Sequence, residues 1–108
     1  MKSKSVLIIA GSDSIAGAGI QADLKTCTMH KVYASTAITA LTAQNTQGVQ
    51  AVINVNKDFI EKQIKSIVND LNISQIKIGM LSNIETMEII HYCLNKYFHL
   101  LLDMGHNK

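Results

Sequence analysis

The opening of the chain limits its fold more than any other stretch. Lys4 to Ala10 reads Lys-Ser-Val-Leu-Ile-Ile-Ala and breaks at Gly11 into Gly11-Ser-Asp-Ser-Ile-Ala-Gly-Ala-Gly19. A continuous aliphatic and β-branched run of this length suits a strand buried on both faces. The three glycines and small polar residues after it let the backbone turn sharply and approach a neighbour closely. Ile20 to His30 then carries Ala22, Leu24, Cys27 and Met29 among polar residues without Gly or Pro, a short helix. Strand, glycine loop and helix in that order open a parallel α/β unit.

The rest of the chain continues the alternation. Tyr33 to Ala43 is rich in Thr, Ile and Ala and stops at Gln44-Asn45-Thr46-Gln47-Gly48, a strand followed by a turn. Gln50 to Asn56 sets Val52, Ile53 and Val55 among polar positions, as a short exposed or edge strand would. In Asp58 to Leu71, residues Ile60, Ile64, Ile67, Val68 and Leu71 form one apolar stripe of an amphipathic helix, with Glu61 and Lys65 as an exposed pair. Gln75 to Leu81 is a strand containing Gly79 and Met80. Ser82 and Glu85 have capping-box spacing, and Ile84, Met87, Ile90, Leu94 and Tyr97 predict one apolar face of a third helix. Phe98 to Leu102 is expected to be a last strand ending at Asp103. The order predicts an α/β fold, a parallel sheet with flanking helices and right-handed crossovers.

The 108 residues suit one domain, and 47% hydrophobic against 17% charged residues is enough to bury a core. No apolar run approaches the roughly 20 residues of a membrane span. The basic start Met1-Lys-Ser-Lys-Ser5 runs into the glycine loop without a cleavage region, so a cytoplasmic protein is expected. Net charge +2 comes from ten scattered Lys with no Arg, a poor surface for nucleic acid and a poor source of bidentate phosphate clamps. No nucleic-acid or membrane partner is expected. Cys27 and Cys93 lie far apart in helical sequence and read as buried thiols without a disulfide.

Ligands of open α/β sheets bind beyond the carboxyl ends of the strands. Those ends carry Gly11 to Asp13, Gln44 and Asn45, Gly79 and Met80, and Asp103. The glycine loop could turn backbone N–H groups toward an anion or polar ligand, or serve only as a tight connection. The Gln44 amide offers a donor beside an acceptor and could read an aminopyrimidine edge, or be a solvated loop residue. Gly17-Ala-Gly-Ile-Gln-Ala22 fits the dinucleotide pattern, but no Asp or Glu stands between Asp23 and Asp58 to take the ribose. Neither a phosphate-binding P-loop nor a nucleophile elbow occurs. Cys27 with His30 and His91 with Cys93 lack the spacing to converge on zinc.

The run Gly11 to Thr26 resembles the N-terminal signature of hydroxymethylpyrimidine/phosphomethylpyrimidine kinases, thiamine-biosynthesis enzymes of the ribokinase-like superfamily. Ile38-Thr-Ala-Leu-Thr-Ala-Gln-Asn-Thr-Gln-Gly-Val-Gln50, the helix from Phe59 and Lys77-Ile-Gly-Met-Leu81 extend the likeness over residues 5 to 103. The resemblance implies ATP- and Mg²⁺-dependent phosphorylation of 4-amino-5-hydroxymethyl-2-methylpyrimidine and then of its monophosphate. It implies that Gln44 hydrogen-bonds the pyrimidine's amino and ring nitrogens, that Asp23 sits near its polar substituents and that Met80 covers the apolar ring face. Gly11, Asp13, Gly17 and Gly19 would shape the substrate-side loop.

Two departures from the family pattern stand out. Ile15 replaces a small residue and is expected to narrow access to the loop. After Asp103, where the family continues Asp-Pro-Val-Met, this chain reads Met104-Gly-His-Asn-Lys108. The resemblance places the nucleotide site and a Gly-Thr-Gly-Cys anion hole with its catalytic Cys in a C-terminal part. Residues 1–108 are therefore expected to form the N-terminal portion of a truncated ribokinase-like domain, without catalytic residues and without metal ligands of its own. Such a chain is expected to be inactive alone, and to need a complementing C-terminal chain or to self-associate through an apolar sheet edge. Alternative readings are a non-catalytic pyrimidine-binding or regulatory module, a fragment of a pyridoxal-type kinase, and a flavodoxin-like domain.

Overall fold

The computed structural model describes residues 4–98. Its elements run β1 (Lys4–Ser12), α1 (Gly19–Met29), β2 (Ala34–Asn45), β3 (Gly48–Asn54), α2 (Lys57–Val68), β4 (Asn72–Ile78) and α3 (Ile84–Tyr97). The four strands form one sheet in the order β3-β2-β1-β4. Both neighbours of β1 run parallel to it, Ile8 lying opposite Thr36 of β2 and Lys77 of β4. β3 returns antiparallel along β2, with Ala40 opposite Asn54 and Asn45 opposite Gly48. The sheet is therefore mixed rather than wholly parallel. The turn at Gln44 to Gly48 is too short for a crossover and closes a hairpin, with Gly48 at φ 138°.

The central place of β1 accounts for its unbroken apolar run. Leu7 and Ile9 pack on one face with Ala37, with Ile60 and Ile64 of α2 and with Ile90, Cys93 and Phe98 at α3. Ile8 and Ala10 pack on the other face with Ile20 of α1, joined by Leu24, Cys27 and Ile38. Helices thus cover both faces, and successive β1 side chains enter opposite layers of the core. At roughly 25 cal/mol per Å² of apolar area, burying each such aliphatic side chain stabilises the fold by about 2 kcal/mol.

β2 extends beyond its hairpin partner, and at Ile38 its outer edge would be bare. Gln63 of α2 fills that place, accepting from the Ile38 N–H at 2.8 Å and donating to the Ile38 carbonyl at 2.9 Å. A side-chain amide stands in for the missing strand, because a buried backbone pair left unbonded is costly.

Several boundaries differ from those read in the sequence. β4 begins at Asn72 and ends at Ile78, so Gly79 to Leu81 follow the strand. α3 is capped by Asn83, whose side chain accepts from the Thr86 N–H at 2.7 Å, and not by Ser82, whose hydroxyl donates to Asn54 Oδ1. The inward positions of α3 are Thr86, Ile90 and Cys93, while Ile84 and Met87 face outward. Leu94 and Tyr97 of the expected stripe do pack against the core beside them. Met29 is also exposed, and Glu61 pairs with Lys96 at 3.4 Å and Tyr97 at 2.9 Å rather than with Lys65. Phe98, expected to open a strand, is the buried C-cap of α3. The expected strand beyond it and its end at Asp103 lie outside the described residues. Among the described residues, no helix is long and apolar enough to cross a membrane.

Candidate binding site

The chain leaves β1 toward α1 on one face of the sheet and leaves β4 toward α3 on the other, which opens a crevice at their carboxyl ends. A cavity of about 410 Å³ lies there. Its walls come from Ala10 to Asp13 at the end of β1, from Ala18 and Gly19 at the start of α1, from Thr39, Ala40, Thr42 and Gln44 on β2 and from Gly79 to Ser82 after β4. Val49 and Val52 of the hairpin and Lys77 complete it.

Two glycines make this approach of backbones possible. Gly19 has φ +63°, and a Cβ there would lie 2.4 Å from the Gly11 carbonyl oxygen. Only glycine fits so close a contact in a left-handed conformation. A Cβ on Gly79 would lie 2.8 Å from Cβ of Ala10, and the Gly79 N–H donates to the Ile9 carbonyl at 2.8 Å.

Asp13 organises the loop from within. It is 5% exposed, and its carboxylate accepts from the N–H groups of Ile15 at 3.1 Å, Gly17 at 3.0 Å and Ala18 at 2.9 Å. Three charge-assisted hydrogen bonds hold the turn. Gln21 adds a second tie, accepting from the Asp13 N–H and donating to Ser12 Oγ. Ser14 reaches across to β2, where its hydroxyl donates to the Gln44 carbonyl at 2.7 Å and accepts from the Gln44 N–H at 2.8 Å.

Gln44, Met80, Gly11, Asp13 and Gly19 therefore meet at one cavity. Gly17 and Asp23 stand outside its wall. Gly17 serves the Asp13 carboxylate, and Asp23 on α1 binds Lys77 Nζ at 2.7 Å. Ile15 is 47% exposed and does not line the cavity, so its bulk does not narrow it. Ser14, Gln21 and Thr42 were not singled out from the sequence. Their roles depend on partners brought together by folding, and no short-range pattern signals them.

The same geometry bears on nucleotide and metal. The loop amides that could have faced a phosphate, those of Ile15, Gly17 and Ala18, already donate to Asp13. Among the described residues no group of three or more His, Cys, Asp or Glu could hold a metal ion. What the cavity offers among residues 4–98 is an uncharged amide, a sulfur-bearing apolar cover and one lysine around a mostly apolar hollow.

The sequence profile of phosphomethylpyrimidine kinase matches residues 13–103. The chain belongs to the phosphomethylpyrimidine kinase family. Over 97 residues it is 45% identical to the hydroxymethylpyrimidine/phosphomethylpyrimidine kinase of Escherichia coli, covering 90% of this chain and 36% of that enzyme. A thiamine biosynthetic bifunctional enzyme of Arabidopsis thaliana is 51% identical over 89 residues, 82% of this chain and 17% of its own length. This member thus spans about a third of the kinase and under a fifth of the bifunctional enzyme.

Among solved structures, the phosphomethylpyrimidine kinase of Clostridium difficile superposes with a TM-score of 0.85 at 49% identity, over 88% of this chain and 41% of that one. A pyridoxal kinase of Bacillus subtilis, crystallised as an ADP complex, superposes with a TM-score of 0.78 at 36% identity, over 87% and 37%. The fold of this phosphomethylpyrimidine kinase family member is ribokinase-like.

Proposed function

We propose that the cavity is the acceptor-side half of a kinase site and takes an aminopyrimidine alcohol, 4-amino-5-hydroxymethyl-2-methylpyrimidine, or its monophosphate. The observation that carries this reading is the placement of the Gln44 amide, Met80 and the Gly11 to Asp13 turn around one cavity of about 410 Å³. An amide offers a donor and an acceptor side by side, matching a ring nitrogen beside an exocyclic amino group. Met80, 95% exposed and lining the cavity, is free to settle over an apolar ring face. Lys77 stands at the wall with its charge paired to Asp23, and a phosphorylated ligand would compete for it.

In this reading the chain contributes substrate binding and orientation. Holding the hydroxymethyl group in place is the part of phosphoryl transfer these residues can supply, since such reactions depend on positioning and on stabilising charge. ATP and Mg²⁺ belong to the family's reaction, and their site is proposed to come from a C-terminal portion or a complementing chain. Residues 4–98 are then the pyrimidine-binding portion of a domain.

A pyridoxal-type ligand is the second reading, favoured by the likeness to pyridoxal kinases at 34 to 38% identity. Calorimetric titration with 4-amino-5-hydroxymethyl-2-methylpyrimidine and with pyridoxal separates them. Saturable pyrimidine heat that Gln44→Ala removes supports the first reading. Pyridoxal heat alone supports the second.

A further inference from the structure

A glutamine amide reads a ligand edge only if it is kept from turning over, because rotation by half a turn exchanges its donor and acceptor. At Gln44 the main chain is held by Ser14, but that leaves the side chain free to turn. Thr42, two residues earlier, also lines the cavity. Its Oγ1 stands 3.1 Å from Gln44 Oε1 and 3.0 Å from the Ser12 carbonyl oxygen. A hydroxyl has one hydrogen, so it donates to one of these acceptors at a time.

We propose that Thr42 is a positioning residue of the site, which acts by donating to Gln44 Oε1 and so keeping the amide NH₂ turned toward the cavity. The Ser12 carbonyl is the alternative acceptor; a hydroxyl that donates there could accept from a turned-over Gln44 NH₂, so the proposed order requires the hydrogen to go to Gln44 Oε1. Among the described residues Gln44 Nε2 has no protein partner, which leaves it to donate to a ligand acceptor such as a ring nitrogen. The second lone pair of Oε1 stays open for the neighbouring amino group. Thr42 touches no ligand atom in this scheme. It sets the order in which donor and acceptor are offered.

The choice of residue type follows from the place. Parallel pairing puts Ala10 opposite Ile38 but Ser12 opposite Leu41, an extra residue on β2, and the Ser12 carbonyl lies within reach of the Thr42 hydroxyl. A β-branched side chain is stiff at χ1, which fixes where the hydroxyl oxygen stands. Valine keeps the branching and the volume but loses the hydroxyl. Serine keeps the hydroxyl but loses the stiffness.

The tether is a property of the ligand-free chain, while its effect on binding rests on the aminopyrimidine reading, so two readouts separate the claims. In a ¹⁵N-labelled full chain, the side-chain NH₂ pair of Gln44 is identified by its loss in Gln44→Ala. The tether predicts a higher heteronuclear NOE for this pair than for that of Gln47, whose side chain is exposed. In Thr42→Val, with its fold checked by thermal melting, the pair should move toward free-glutamine positions and pyrimidine affinity should fall about two- to tenfold. Thr42→Ser should restore both.

A Gln44 pair as mobile as that of Gln47 in the wild type overturns the proposal without needing any variant. So does a pair unmoved in folded Thr42→Val, or a folded Thr42→Ser that fails to restore it. Absence of pyrimidine binding by the wild type overturns the substrate reading instead, and the NH₂ pair still decides the tether.

Discussion

The hydroxyl of Ser14 holds the main chain of Gln44 at both of its polar groups, donating to the carbonyl at 2.7 Å and accepting from the N–H at 2.8 Å. One side chain in the glycine loop thereby fixes the end of β2, 30 positions away, against the end of β1. Ser14→Ala removes both bonds. Because the pair is exposed, water replaces part of the loss, and a stability decrease of about 1 kcal/mol or less is expected in urea denaturation. Pyrimidine affinity should fall by more than stability does, since Gln44 loses its fixed place.

Asp13 is expected to be the most sensitive side chain of the loop. Asp13→Asn keeps the shape but replaces one accepting oxygen with an NH₂ group that faces backbone N–H donors. Losing one or two charge-assisted bonds at a buried position should cost about 2 kcal/mol. Equilibrium unfolding of the variant checks this, and an unchanged midpoint would remove Asp13 from the account of the loop.

Backbone conformation gives a pair of opposite predictions. Gly19→Ala brings a Cβ to 2.4 Å from the Gly11 carbonyl at φ +63°, and should destabilise by at least about 2 kcal/mol. Ala16 already sits at φ 62° with a side chain. Ala16→Gly should relieve about 1–2 kcal/mol of strain and return up to about 1 kcal/mol of unfolded-state entropy, for a small net gain in melting temperature.

The contact between α2 and α3 carries a pH dependence. The Tyr97 hydroxyl first, and then Lys96, hold the Glu61 carboxyl below its ordinary value of 4.5. A lowered carboxyl pKa contributes stability that is present above the unfolded value and lost as pH falls through the folded one. Melting temperatures taken from pH 7 down to pH 3 should therefore differ between wild type and Glu61→Gln at neutral pH and converge below about pH 4.5.

The two cysteines should differ in reactivity. Burial pushes the Cys93 thiol up to about 11, and the residue has no exposed surface, whereas Cys27 is partly exposed. A thiol reagent at pH 8 should modify Cys27 in the folded chain and Cys93 only after denaturation. For the same reason stability should fall as pH rises from about 9 toward 11, where the unfolded thiol ionises and the folded one does not.

Much of this fold is legible because its signals are local. The apolar run at Val6 to Ala10 marks the central strand, the glycines mark a turn, and the stripe at Ile60, Ile64 and Ile67 marks α2. Placing Gln44, Met80 and Gly11 at strand ends needs only the rule for open sheets. What escapes the sequence is relational. Nothing near Ser14 names Gln44 as its partner, nothing near Gln63 names the bare edge at Ile38, and nothing near Asp23 names Lys77. The cap at Asn83 rather than Ser82 shows the same limit at short range, since both residue types cap well and their packing decides between them.

The central claim is that this cavity, and no other surface, receives the pyrimidine. The most direct test follows backbone amide shifts of the ¹⁵N-labelled chain while 4-amino-5-hydroxymethyl-2-methylpyrimidine is added. The account predicts saturable shifts gathered at Gly11 to Ala18, at Thr42 to Asn45 and at Gly79 to Leu81, with Gln44→Ala abolishing them. Saturable shifts gathered elsewhere, or none in a folded sample, would contradict it.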